Sequence, residues 1–110
     1  MSQKYIDEAV LYTFTNLAAS ATASTLIAAR TGYKIRVLAV CAISGATATN
    51  LTFNSASTAI SSLFACGANS GFALGYNPIG WFETTADSAL TGTTGSGSTT
   101  GIQIVYIYTV

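Results

Sequence analysis

Hydrophobic and polar positions alternate in short runs along this chain, and two long apolar runs organise the rest. The first spans Gly32 to Ser44, with Gly32 opening it and Ser44-Gly45 closing it. Ile35, Val37, Ala39, Cys41 and Ile43 form one alternate set, and Leu38, Val40 and Ala42 follow Arg36 in the other. A strand apolar on both faces is covered on both, as a central strand or at a subunit contact. A buried helix is the competing reading for a short apolar run; the β-branched residues, flanking glycines and length favour a strand. The second run closes the chain, with Ile102, Ile104, Tyr106, Tyr108 and Val110 on one face and Gln103, Val105, Ile107 and Thr109 on the other.

Between and before these runs the strands are shorter. Val10 to Thr15 alternates, with Val10, Tyr12 and Phe14 on one side and Leu11, Thr13 and Thr15 on the other. Residues 17–24 read as a loop, because their Ser and Thr side chains compete for backbone bonds. Thr25 to Ala29 is a second strand. Asn50 to Ser55 places Leu51 and Phe53 inward and Thr52 and Asn54 outward, and Thr58 to Cys66 follows at hairpin spacing. Turn clusters at 67–71 and 76–80 flank a short strand at Phe72–Leu74. Extended structure resumes at 81–85 and 89–92, and 93–101 is a Gly/Ser/Thr tip. Short strands between Gly/Ser/Asn turns suggest a β-sandwich or barrel rather than βαβ units, and an all-β, single-domain antiparallel β-sandwich over residues 10–110 is expected. With about eight strands it is jelly-roll-like. Residues 1–9 read as an N-terminal arm.

Composition sharpens this picture. Half of the 110 residues are hydrophobic and only 7% are charged, with a formal net charge of zero; ordinary soluble domains carry roughly 25% charged residues. So little charge leaves nothing to keep copies apart, which points to a homo-oligomer whose surface is largely covered. Zero net charge argues against nucleic acid, which needs a basic stripe. No run approaches the ~20 apolar residues of a membrane span. The acidic, weakly apolar start does not resemble a signal peptide, so synthesis in the cytoplasm is expected.

Catalytic chemistry is sparse. There is no histidine, which removes the commonest general base and metal ligand. Cys41 and Cys66 have no metal-like spacing and are expected reduced and buried. Glu83 and Asp87 are read as solvated rim carboxylates rather than an acid–base pair, and the glycines at 92–97 form no phosphate loop. Asn50-Leu51-Thr52 matches a glycosylation pattern, which means little without a secretory signal. No enzyme activity and no cofactor are expected. The segment Phe72 to Phe82 gathers aromatics around a Pro/Gly loop. Aromatics of this kind are often sandwich core, which is the leading reading for Trp81. The rival is a contact patch, since Tyr and Trp are enriched at contacts, with Tyr76, Pro78, Trp81 and Phe82 as the candidate interface. Carbohydrate stacking on Trp81 is a third reading.

Gly-Tyr-Lys-Ile-Arg-Val at 32–37, Leu-Thr-Phe-Asn-Ser at 51–55, Tyr-Asn-Pro-Ile-Gly-Trp-Phe-Glu-Thr at 76–84 and Ile-Val-Tyr-Ile-Tyr at 104–108 occur in that order. In these motifs the chain resembles small virion proteins of tailed bacteriophages, over residues 32–110. The resemblance implies a jelly-roll-like sandwich that forms homotrimers on the phage head as a decoration, or cement, protein. Its partner would be the major capsid protein, and it implies no active site. Residues 1–9 lie outside it. The runner-up is a trimeric receptor- or glycan-binding head of a tail fibre or adhesin.

Overall fold

A computed structural model describes residues 9–110 of the chain; all but the last residue of the expected N-terminal arm lies outside them. The strands are β1 (Leu11–Leu17), β2 (Ser24–Ile27), β3 (Lys34–Ser44), β4 (Thr49–Ser55), β5 (Thr58–Ala59), β6 (Phe64–Cys66), β7 (Gly71–Leu74), β8 (Phe82–Glu83), β9 (Leu90–Thr94) and β10 (Thr100–Thr109). They build two antiparallel sheets. The front sheet runs β1-β10-β3-β7, with β8 also on β3; the back sheet runs β2-β9-β4-β5, with β6 also on β4.

Because β10 occupies one whole side of β3, β7 and β8 share the other, opposite Val40–Ile43 and Arg36–Val37. In the same way β5 and β6 share one side of β4. The ten strands therefore fill eight sheet positions. Their pairing is nested: β1 with β10, β2 with β9, β3 with β7 and β8, β4 with β5 and β6. Successive pairs alternate between the sheets, which is a long antiparallel ribbon rolled into a jelly roll. The predicted single-domain sandwich is what the chain forms.

Alternation places the core. Leu51 and Phe53 of β4, Ile35 and Val37 of β3, and Ile102 and Ile104 of β10 are buried between the sheets. Tyr106 and Tyr108 pack against the same cluster, as the pattern of the closing run predicts.

Three expectations change. The first concerns β3. Tyr106 pairs with Val37 and Val105 with Ala39, so Leu38 is an extra residue in β3, a β-bulge. A bulge reverses which alternate set faces inward. Past it Val40, Ala42 and Ser44 are buried, whereas Cys41 is half-buried and Ile43 is 57% exposed. Cys41 therefore leaves the core; Cys66 is the buried cysteine, and both thiols are free. The second concerns Asn54, which is buried rather than outward. Its amide donates to Thr91 Oγ1 at 3.2 Å and Thr93 Oγ1 at 2.9 Å, so burial leaves its donors satisfied. The third is the Thr58–Cys66 strand, which breaks at Ser61-Ser62. There the Ser61 hydroxyl accepts the Phe53 N–H at 2.9 Å and donates to the Ser62 carbonyl, taking over a bond that a strand backbone would have made.

Candidate functional site

Register and the bulge together determine what the front sheet shows to solvent. Residues directly opposite across strands share a face. Three cross-strand rows result: Tyr12–Val105–Ala39, then Phe14–Gln103–Cys41–Ala73, then Asn16–Gly101–Ile43–Gly71. None of these residues is charged. Tyr12 and Phe14 are 64% and 63% exposed, with their ring centroids 6.4 Å apart. Small residues at Gly101, Ala39 and Ala73 leave two shallow depressions, about 320 and 180 Å³, beside the larger side chains. The charge on β3 lies before the bulge, away from these rows. There Arg36 faces Glu83 across the strands, Nε to Oε1 at 2.8 Å, with Lys34 Nζ at 3.8 Å from the other carboxylate oxygen.

The back sheet contrasts with this. Its cross-strand row Thr25–Thr91–Asn54, in which Thr91 and Asn54 are buried, and the Thr93–Thr52 pair carry hydroxyls and amides. These bond to one another and to backbone, including the Ala23 N–H donating to Thr93 Oγ1 at 3.1 Å and Thr91 Oγ1 donating to the Ala56 carbonyl at 2.6 Å. The front face has no such network. It is an uncharged, mostly apolar surface on which Gln103 and Asn16 are the exposed amides, and water-covered apolar area gains by being buried.

A second exposed group lies on the β7–β8 connection. Of the predicted interface residues, Tyr76, Pro78 and Trp81 are exposed on this loop; Phe82 turns inward and stacks on Phe53 with ring centroids 5.0 Å apart. The loop is braced. Asn77 N–H donates to the Leu38 carbonyl, Ile79 N–H to Asn77 Oδ1 and Gly80 N–H to the Asn77 carbonyl. Trp81 donates through its backbone N–H to Val37 and through Nε1 to the Gly75 carbonyl at 2.7 Å. The turn lifts Ile79 to 82% exposure. Sequence reading passed over Ile79; the signal was an apolar residue held between Asn77-Pro78 and Gly80, where a turn forces it outward.

The two carboxylates considered for chemistry have structural partners. Glu83 holds Arg36 and Lys34, while Asp87 accepts the Gly32 N–H and donates its own N–H to the Tyr33 carbonyl, tying down the start of β3. Among the described residues no group of three His, Cys, Asp or Glu side chains could hold a metal ion, and no helix is long and apolar enough to cross a membrane.

Fold and face define a small jelly-roll sandwich with one uncharged outer sheet face. Jelly rolls serve capsid proteins, lectins and cupins alike, so the architecture does not select among them. No protein-family model matches the chain, and no curated protein matches it. A solved structure similar to it is the virus-like particle of extra small virus from the giant freshwater prawn Macrobrachium rosenbergii, at 14% identity and a TM-score of 0.43, covering 94% of this chain and 80% of that one. A likeness of that depth carries no argument about function.

Proposed function

We propose that this chain is a structural virion protein, a decoration or cement protein that binds the outer surface of a tailed-phage head and stabilises it without turnover. The observation that carries the reading is the uncharged front face, with Tyr12, Phe14 and Ile43 each more than half exposed. The virion-protein motifs support it. Covering these three side chains stabilises docking by roughly 1–2 kcal/mol each. One copy therefore binds modestly, and repetition by shell symmetry turns modest contacts into avid attachment. The braced Tyr76–Trp81 loop supplies a second, pre-organised contact. In this reading the protein is made in the host cytoplasm, forms a homo-oligomer and partners with the major capsid protein.

The test uses phage heads stripped of their decoration. The protein should rebind them at saturable stoichiometry and raise their melting temperature. Because the face is uncharged, binding should change little with salt, whereas attachment through surface charges is screened within ~10 Å at 0.1 M. Ile43→Asp should abolish binding while leaving the melting curve of the isolated protein unchanged. Binding to host envelopes but not to heads would replace this reading with a fibre-head one, for which Tyr76 and Trp81 would be the contact.

A further inference from the structure

The front sheet has an open side. All seven residues of β1 pair with β10, and among the described residues no strand pairs with the other side of β1. A strand so placed directs a row of backbone N–H and C=O groups away from its sheet, a template for another strand. Native edges are usually blunted by Lys, Pro, a bulge or shortness. Leu11-Tyr12-Thr13-Phe14-Thr15-Asn16-Leu17 has no charge and no proline, and its register on β10 is unbroken. The opposite edge of the front sheet is a poor template, because it is split into β7 and β8 by the loop that holds Pro78.

We propose that β1 pairs antiparallel with β1 of a second copy of this chain across a twofold axis centred on Thr13. The occupant follows from β1 itself. An uncharged strand meets its own copy without repulsion, and antiparallel pairing through a twofold makes the contact self-complementary. The register follows from the side chains. To keep both outer faces on one side, even-numbered residues must meet even-numbered ones. Centring on Thr13 sets Tyr12 opposite Phe14 of the second copy, twice over. Centring on Phe14 would instead pair Phe14 with itself once and set Tyr12 against Asn16. Centring on Tyr12 would pair Tyr12 with itself once and set Phe14 against Val10; only Thr13 gives two aromatic pairs. Aromatic cross-strand pairs are the better contact, and here the four rings form one cluster. The two front sheets then become one sheet with a doubled apolar face. The contact can also link larger oligomers side by side. Tyr12 and Phe14 also belong to the proposed docking face, whereas Ile43 belongs to that face alone.

The experiment measures the mass of the full chain by sedimentation over a range of concentrations, with two double variants. Y12K/F14K puts lysine opposite lysine across the axis and should weaken self-association about tenfold. Y12K/F14E puts lysine opposite glutamate and should restore it to near the wild-type strength. Both positions are mostly exposed, so melting curves at concentrations where every form is monomeric should coincide. Amides along β1 should gain hydrogen-exchange protection as the wild type associates. A wild-type monomer at every concentration would overturn the proposal. So would association that responds equally to both variants or to neither. Head binding is read separately through Ile43→Asp, so this contact and the docking reading can fail independently.

Discussion

Val37 sits opposite Tyr106, and the next pair along is Ala39 with Val105, leaving Leu38 without a counterpart on β10. That extra residue decides which cysteine solvent can reach. Before it, Ile35 and Val37 face the core; after it, Val40 and Ala42 do, and Cys41 turns to the outer face. Titration of the native protein with a small thiol reagent should therefore find one reactive thiol, and the second only after unfolding. Cys41→Ala should remove the native signal and Cys66→Ala should leave it intact. A fast-reacting Cys66 would contradict the burial seen here.

Burial also sets an alkaline limit. It pushes the Cys66 thiol above its ordinary value of 9.0, and it pushes the Tyr106 phenol above 10.0, with Tyr108 adding to the second shift. Raised pKa values mean that the folded chain holds these protons more tightly than the unfolded one. The stabilisation is complete below the unfolded values and is lost as pH rises through the folded ones. The melting temperature should thus show no loss from these groups near neutrality and should fall above about pH 9. Cys66→Ala and Tyr106→Phe should each make that fall shallower. An unchanged slope in both variants would remove these groups as its cause.

Phe53 is fully buried, stacked on Phe82 and edge-on to Phe64 at a ring separation of 6.1 Å. Phe53→Ala removes the middle of this stack and should cost about 3–5 kcal/mol in urea unfolding. Trp81→Ala, at a side chain 45% exposed, should cost far less. Equal losses would show that Trp81 belongs to the core after all.

Gly71 pairs with Ile43 at the end of β7, and a Cβ there would run into the Ala42 carbonyl oxygen. Backbone cannot step aside as a flexible side chain can. Gly71→Ala should cost about 1–3 kcal/mol through displacement of β7. Gly75, where a Cβ meets nothing within 4 Å, is the control. Gly75→Ala should leave the unfolding midpoint nearly unchanged, and a reversed order would mean that β7 tolerates separation from β3.

Alternation along the chain was enough to read the class of fold and most of its strands. Leu51 and Phe53 alternate with polar neighbours over a strand-sized run, and a period of two has only one way to bury its apolar set. The same logic placed Ile102, Ile104, Tyr106 and Tyr108 against the core. It could not place Cys41 or Ile43, because both alternate sets of β3 are apolar and nothing local marks a bulge at Leu38. Nor could it decide between core and contact for the aromatics of residues 72–82. Phe82 is inside because Phe53, some thirty residues away in sequence, supplies a ring to stack on, while Trp81 is held out by bonds to Val37 and Gly75. The apolar face likewise exists only in three dimensions. Tyr12, Val105 and Ala39 come from three separate strands, and long-range pairing alone aligns them in one row. Local pattern sets which residues alternate; the bulge and the rolled topology set which way each alternation faces.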